Sequence, residues 1–381
     1  MAERDIYSNS GRMNYGDGFY DDDKPVDEEF EEISLNEEDY EEAPQPGKKK
    51  KKKKKKRRVL KFILGLLGIL LVIIVIYLIV VLIRIHYTGE SPDHSVAEEA
   101  GIELQSKFGV ENILLFGEDN HQDGEYGRAD SIILLTIDNN NHQLKQTSFM
   151  RDIYLTIPGY GMDKLNAAYS YGGPKLAAET IEYNFGIKID NYMIVDFNSF
   201  TDIVDSLGGI ELELTDTEID YINWQSYRNK QTDDEQELNS DDYDFYENDD
   251  GDYVALVHLN GRQALWYARD RDSAGSDFDR TSRQRIVIDT IISKFKTAGP
   301  LRLMYAGFSV SPYLTTNMNP FSLTGDGFNL IIAFLYERLE FRTPTNDNYY
   351  NDWNDSGQVL VISDDDLENQ RLYHFIFESG E

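Results

Sequence analysis

Asn112-Ile-Leu-Leu-Phe116, a polar loop from Glu118 to Ala129, Ser131-Ile-Ile-Leu-Leu-Thr-Ile137, the turn Asp138-Asn-Asn-Asn141 and Leu144-Lys-Gln-Thr-Ser-Phe149 decide the fold of this 381-residue chain. The aliphatic and β-branched runs read as strands, and the Asn cluster as a tight turn. With the first strand running up, Asp119 sits just past its top. The loop returns the chain at that end, so Asp130 sits at the top also. The second strand descends, the turn reverses it, and the third ascends to place Arg151 beside them. Two carboxylates and an arginine thus meet on one edge.

Outward from these strands, Lys164 to Phe185 carries two helical pieces divided by Gly172-Gly173-Pro174. A strand Tyr192 to Phe197, a helix Ser199 to Leu207 and a strand Ile210 to Leu214 follow. This alternation predicts an α/β sandwich. Tyr221 to Tyr253, rich in Asp, Glu, Asn and Gln, reads as a surface excursion or mobile flap. Leu301 to Leu339 reads as mostly helical with a turn around Asn317 to Pro320, Thr343 to Ser356 as polar loop, and Val359 to Ile362 as a last edge strand. No repeat of solenoid length is visible.

A second informative stretch is Tyr267-Ala-Arg269-Asp-Arg271, the acidic loop Asp272 to Asp279, and Arg280-Thr-Ser-Arg-Gln284. Ile288, Ile291, Ile292 and Phe295 recur at helical spacing, with Gln284 and Arg280 four and eight residues before Ile288 on the same stripe. The helix therefore buries its later turns and aims its first turns inward with polar groups. Asp277 or Asp279 is placed to cap it, and its N-terminus with an inward Arg suits an anion. If Ala264 to Asp270 ends extended, Arg269 and Arg271 face the same way. The plain alternative is a solvated ion-pair loop.

The formal net charge is −32; Met1 to Lys61 holds 15 of 37 basic and 16 of 69 acidic residues, leaving 22 against 53 beyond it. So acidic a surface argues against nucleic acid as a partner. Without cysteine, disulfides, thiolate chemistry and Cys-based metal sites are excluded, which fits an exported bacterial domain. Met1 to Gly47 has few aliphatics and is expected to be a disordered tail. Lys48 to Lys56 is an unbroken lysine run extended by Arg57 and Arg58. Phe62 to Ile83 then follows without a charged side chain, about 33 Å as a helix and enough to cross a bilayer core of about 30 Å. A signal peptide is the rival reading. The run is too long and too far from the N-terminus for one, and no small-residue cleavage site follows it. The lysines place the N-terminal side in the cytoplasm and His86 to Glu381 outside, and their abutment on the span favours anionic headgroups over nucleic acid.

Asp119 and Asp130, with no His or Cys near them, are hard oxygen donors suited to Mg²⁺ or Mn²⁺. With arginines beside them, such a metal suits a pyrophosphate, whose oxygens guanidinium groups grip bidentately. The alternative is loop-end capping by surface carboxylates.

At this point Asn112 to Asp119, Gly127-Arg-Ala-Asp130, Met150-Arg-Asp-Ile-Tyr154, Ile157-Pro-Gly159, Lys164-Leu-Asn-Ala-Ala-Tyr169, Tyr171-Gly-Gly-Pro174, Val195-Asp-Phe197, Leu207-Gly-Gly-Ile210, His258-Leu-Asn-Gly261, Tyr267 to Arg271 and Asp277-Phe-Asp-Arg280 carry a resemblance to the LytR-CpsA-Psr family. They follow in consistent order over roughly Glu111 to Lys294.

The resemblance implies an α/β/α sandwich around a central mixed β-sheet, preceded by one transmembrane helix, with an apolar tunnel for a polyprenyl chain. It implies a tail over 1–61, a span over 62–83, a linker over 84–100 and an extracellular catalytic domain over 101–345 with an acidic insertion at 221–253. Residues 346–381 would be an extension of that domain or a tail. The implied activity moves a glycopolymer (teichoic acid, capsule or related polysaccharide) from an undecaprenyl-pyrophosphate carrier to peptidoglycan through a phosphodiester, in a Gram-positive envelope. By the family's pattern Asp119 and Asp130 would hold Mg²⁺, and Arg151, Arg269, Arg271, Arg280 and Gln284 would bind pyrophosphate with Arg128 in support. Asp277 would lie near the attacking hydroxyl, with Asp152 and Asp279 as rivals. Hydrolysis of a lipid pyrophosphate at the same site, and a non-catalytic regulatory role, are the alternatives. The chain departs from the pattern in its longer acidic 221–253 segment and in Asp279, where a small residue is usual.

Overall fold

The computed structural model describes residues 49–119, 126–228, 237–270, 277–319, 329 and 332–378; the side chains of 49–55, 119, 197 and 277–279 fall outside that description. The acidic tail expected over Met1 to Gly47, and Arg271, lie outside the described residues. The chain divides into a unit ending at Leu66 and a second from Leu67 to Glu381.

Helix α1, Lys49–Arg84, joins the lysine run to the apolar stretch in one helix. An uncharged segment of this kind closes its backbone hydrogen bonds internally, as lipid demands. Its Lys56–Arg84 portion, 29 residues holding an 18-residue window with a mean hydropathy of 3.6, is long and apolar enough to cross a membrane.

From Leu67 onward, β1 (His86–Tyr87) and α2 (Ser95–Glu99) lead into β2 (Val110–Asp119), β3 (Arg128–Asp138) and β4 (Gln143–Phe149), the three expected strands, each slightly longer than the apolar run that marks it. The hairpin β5 (Tyr154–Ile157) and β6 (Gly161–Lys164) follows, then α3 (Leu165–Phe185), β7 (Asn191–Asp196), α4 (Phe197–Ser206), β8 (Ile210–Leu214) and α5 (Asp216–Arg228). The chain continues through β9 (Phe245–Glu247), β10 (Tyr253–Leu259), α6 (Gly261–Arg269), α7 (Asp277–Thr297), α8 (Pro300–Val310), β11 (Thr315–Thr316) and β12 (Glu337–Thr343). It closes with β13 (Tyr349–Asn354), β14 (Gly357–Ile362) and α9 (Asp365–Tyr373).

The main sheet runs β1-β11-β7-β2-β3-β4-β12. It is mixed: β2, β3 and β4 are antiparallel, while β7 runs parallel to β2 and β12 parallel to β4. On one face Leu114, Phe116, Ile132 and Leu134 pack with α3 residues such as Tyr169 and Ile181, and with Leu372, Ile376 and Phe377 at the C-terminal end. A second core joins β8 and β10 to α5, α6 and Val287 of α7.

Helix α3 bends where expected. Gly172 and Gly173 leave helical geometry, and Pro174 follows them inside the merged helix. Gly173 has φ +68, and a Cβ there would lie 2.4 Å from the Tyr126 ring, so both backbone and space require glycine.

Four local expectations are corrected. Ala264 to Arg269 is helical, because Asn260 and Gln263 form a reciprocal capping box that starts α6; only Asp270 is extended. The Tyr221 to Tyr253 stretch begins inside α5, where Ile219, Ile222 and Ser226 are buried at helical spacing beneath an acidic outer face. Glu337 to Leu339 opens a strand, drawn into β12 by pairing with β4. The polar Tyr349 to Asn354 is also a strand, since β14 supplies its partner across a hairpin.

Candidate functional site

The opposite face of the main sheet is packed at one end, where Ile113, Ile137 and Leu144 meet Ile292 of α7, and hollow over the rest. A cavity of about 1860 Å³ lies between the sheet and α4, α6, α7 and α8, walled by Leu115, Ile133, Leu135, Met193, Ile288, Ile291 and Phe295 among others. Small-molecule pockets are commonly about 300–1,000 Å³, so there is room for a long apolar ligand. The α7 stripe thus does both: Ile292 packs with Ile113, Ile137 and Leu144 of the sheet, with Ile288 against that cluster, and Ile288, Ile291 and Ile292 also line the cavity. Tyr77, Leu78 and Val81 of α1 and Leu303, Met304 and Gly307 of α8 also line it. Tyr77 donates to the Met304 carbonyl at 2.7 Å, and the Arg84 guanidinium lies 3.9 Å from the Phe308 ring centroid.

Polar residues gather at the strand tops. Arg128, Asp130, Arg151, Arg269, Arg280 and Gln284 all line this cavity. Arg151 donates from Nη1 to Asp130 Oδ1 at 2.5 Å and pairs through Nε with Asp152 at 3.3 Å. Asp152 is held in turn by Lys164 at 3.0 Å. Arg280, only 2% exposed, donates to the Asp130 carbonyl at 3.3 Å and approaches its carboxylate at 4.0 Å. Arg128 and Arg269 are exposed at the rim and Gln284 is half-buried. Two guanidinium groups, of Arg151 and Arg280, meet the Asp130 carboxylate, and Arg128 and Arg269 line the same cavity, a set of donors that suits an anion.

A β-bulge turns Asp130 into the cavity. Gly117 pairs with Ser131 but Glu118 pairs with Ala129, leaving Asp130 as an extra residue in β3. Strict alternation would send it to the Ile132 face, into the packed core. With the bulge, Ala129 joins that core, while Asp130 and Ser131 both line the cavity. Gly117 permits the close approach, since a Cβ there would lie 2.1 Å from Ser131 Oγ.

Asp119 ends β2 opposite Arg128. Its side chain, those of Asp277 and Asp279, and the whole of Arg271 fall outside the described residues. Of the two expected metal donors, only Asp130 can be tested for fit. Its carboxylate lines the cavity, and its oxygens are hard donors of the kind a dication such as Mg²⁺ takes.

The LytR_cpsA_psr family model matches residues 79–370. The chain belongs to the LytR-CpsA-Psr family. It is 35% identical over 185 residues to the polyisoprenyl-teichoic acid--peptidoglycan teichoic acid transferase TagU of Bacillus licheniformis, covering 48% of this chain and 51% of that protein's length. It is 30% identical over 259 residues to the regulatory protein MsrR of Staphylococcus aureus, covering 66% of this chain and 70% of MsrR. TagT, a family protein solved with bound octaprenyl pyrophosphate lipid, shares its fold at a TM-score of 0.53 and 20% identity, over 77% of this chain and 99% of that one. The fold expectation, an α/β sandwich on a mixed sheet, holds in this LytR-CpsA-Psr chain.

Two groups at its site escaped the sequence reading. Glu118, 2% exposed, accepts from the Tyr169 hydroxyl at 3.1 Å and from the Gly127 N–H at 2.9 Å, tying β2 to α3 and to the residue before β3. Burial and then Glu118 push the Tyr169 hydroxyl pKa well up, so it stays a donor. Arg283, 5% exposed, donates to Glu218 at 2.8 Å and to the Asp270 carbonyl at 3.0 Å, tying α7 to α5 and to the end of α6. The helical offset between Arg283 and the Arg280–Gln284 stripe is the one signal that separates this strut from its ligand-facing neighbours.

Proposed function

We propose that this chain is a membrane-anchored glycopolymer transferase. It moves a glycan from an undecaprenyl-pyrophosphate carrier to peptidoglycan and leaves a phosphodiester. The observation that carries the reading is an apolar cavity reaching from α1 and α8 to a cluster of four arginines, which matches a lipid tail joined to a pyrophosphate. The names of TagU and of the lipid-bound TagT support it.

In this reading Arg128, Arg151, Arg269, Arg271 and Arg280 grip the pyrophosphate, with Gln284 adding a hydrogen bond, and Asp152 and Lys164 hold Arg151 in place. The acceptor sugar hydroxyl attacks the phosphorus nearest the glycan. The bond to the bridging oxygen breaks, and polyprenyl phosphate leaves with that electron pair. The hydroxyl proton passes to a carboxylate, assigned to Asp277 in the first turn of α7. Mg²⁺ or Mn²⁺ held by Asp119 and Asp130 would add positive charge beside the phosphate oxygens. The arginines act mainly in the transition state, where negative charge builds on the departing phosphate.

The lysines before the span orient α1 with its N-terminus in the cytoplasm and the domain outside. A cysteine placed at Ser91 is then labelled from outside intact cells and one at Ser34 is not; the reverse pattern removes this localisation. The activity test incubates full-length protein in detergent with a lipid-pyrophosphate-linked glycan, uncrosslinked peptidoglycan and Mg²⁺, and identifies products by mass. Glycan joined to peptidoglycan supports transfer, whereas free glycan phosphate marks a hydrolase. The similarity to MsrR favours a regulatory second reading. Absence of transfer by the wild type in this assay would favour it, whereas unchanged transfer by folded Arg280→Ala and Asp130→Asn proteins would overturn the site proposed here.

A further inference from the structure

Beside the arginine end of the cavity lies a group of exposed aromatics with no part in the reading above. Tyr160, in the turn joining β5 to β6, stacks on Tyr171 of α3 with ring centroids 4.9 Å apart and planes 17° apart. Both remain open to solvent, at 60% and 46% exposure. The pair is pinned through Asp163. Its Oδ2 accepts from the Tyr171 hydroxyl at 2.6 Å, and its Oδ1 accepts from Ser356 Oγ, in the turn between β13 and β14, at 2.6 Å. Trp353, three residues before Ser356, is 76% exposed. Two hairpins distant in sequence are thereby locked together while presenting large rings to solvent, an arrangement that stability alone does not require.

The rings stand one short relay from the site. Lys164 follows Asp163 and pairs with Asp152, which holds Arg151. The Asp163 bond raises the Tyr171 hydroxyl pKa and Arg128 opposes it, so the rim arginine lies within electrostatic reach of the pair. Helix α3 packs on the sheet face opposite the cavity. A pyrophosphate at the strand tops therefore has the lipid cavity on one side and these rings on the other.

We propose that Tyr160, Tyr171 and Trp353 form a stacking shelf for the acceptor glycan strand. A sugar ring offers an apolar C–H face and a rim of hydroxyls, and the shelf offers flat rings edged by Asp163 and Ser356. The proposal rests on the transferase reading, which supplies the reason to choose the acceptor. In phosphoryl transfer the attacking and leaving oxygens lie roughly in line, so with the leaving lipid phosphate on the cavity side the hydroxyl arrives from the shelf side.

The test uses full-length protein in detergent micelles and two probes. One is a peptide-free strand of alternating N-acetylglucosamine and N-acetylmuramic acid; the other is farnesyl pyrophosphate. Tyr160→Ala and Trp353→Ala should each weaken strand binding roughly fivefold and leave farnesyl pyrophosphate binding unchanged. Tyr171→Phe keeps the ring, loses the Asp163 bond and should cost less. Where transfer is measured, KM for the acceptor rises and KM for the donor does not. The shelf is overturned if the wild type does not bind the strand, if the two alanine variants, shown folded by melting, bind it normally, or if they lose both probes equally. Strand binding at the shelf without any transfer would support the shelf and remove the transferase reading instead.

Discussion

The two faces of the main sheet use the same kinds of side chain for opposite ends. Along β2 and β3, Leu114, Phe116, Ile132 and Leu134 are sealed against α3, while their neighbours Leu115, Ile133 and Leu135 wall the cavity beneath α7. The roof over the hollow face is fastened at its margin, by Ile292 packed on Ile113, Ile137 and Leu144 and by polar groups along the edge. Arg338 donates to the Asp289 carboxylate at 3.0 Å and to Ser293 at 2.8 Å, Gln146 donates to Asp289 at 2.7 Å, and Arg285 pairs with Glu340 at 3.2 Å. Apolar character on a strand therefore reports that water is excluded, not that the space is filled. A roof held at its margin leaves room beneath for a ligand to supply the missing contacts.

The sharpest way to break this comparison is paired truncation. Phe116→Ala, on the packed face, should cost about 3–5 kcal/mol in denaturant unfolding, whereas Leu115→Ala, which enlarges an existing cavity, should cost about 1 kcal/mol or less. Equal losses would mean that the hollow face is as closely packed as the other. Insertion gives the converse. Leu134→Trp overpacks the core and should destabilise by about 1–3 kcal/mol, while Ile133→Trp enters open space, keeps its melting temperature and loses farnesyl pyrophosphate binding.

At the polar end, Arg151→Lys keeps the charge but loses the fork that holds Asp130 and Asp152 together. Transfer should fall by about tenfold with the melting temperature unchanged, and full activity would show that charge alone suffices there. The smallest effect concerns the roof edge. Burial, then the Asp289 hydrogen bond and charge, push the Glu340 pKa from 4.5 up to about 7. The folded protein thus holds this proton more tightly than the unfolded chain. Stability from this group is fully present below pH 4.5 and falls as pH rises toward 7. Glu340→Gln should flatten the dependence of melting temperature on pH across that window, and an unchanged slope would assign it to other groups.

Much of the site was legible from local pattern. The turn residues between apolar runs determine that β2, β3 and β4 zigzag, which alone brings Asp130 and Arg151 to one end. Helical spacing places Arg280 and Gln284 on the Ile288 stripe. The lysine run against 22 uncharged residues marks the span, because charge and transfer energy act residue by residue.

Only the tertiary structure decided the rest. The bulge that turns Asp130 depends on the pairing register between two strands, and neither strand carries that register alone. β12 and β13 are strands because partners complete their hydrogen bonds, which polar sequences such as Tyr349 to Asn354 do not announce. Glu118 and Arg283 became buried anchors through contacts with residues 51 and 65 positions away, Tyr169 and Glu218. Whether the apolar face of α7 fills a core or roofs a cavity is a matter of the distance between helix and sheet. Hydrophobic periodicity encodes direction and contains no measure of that distance.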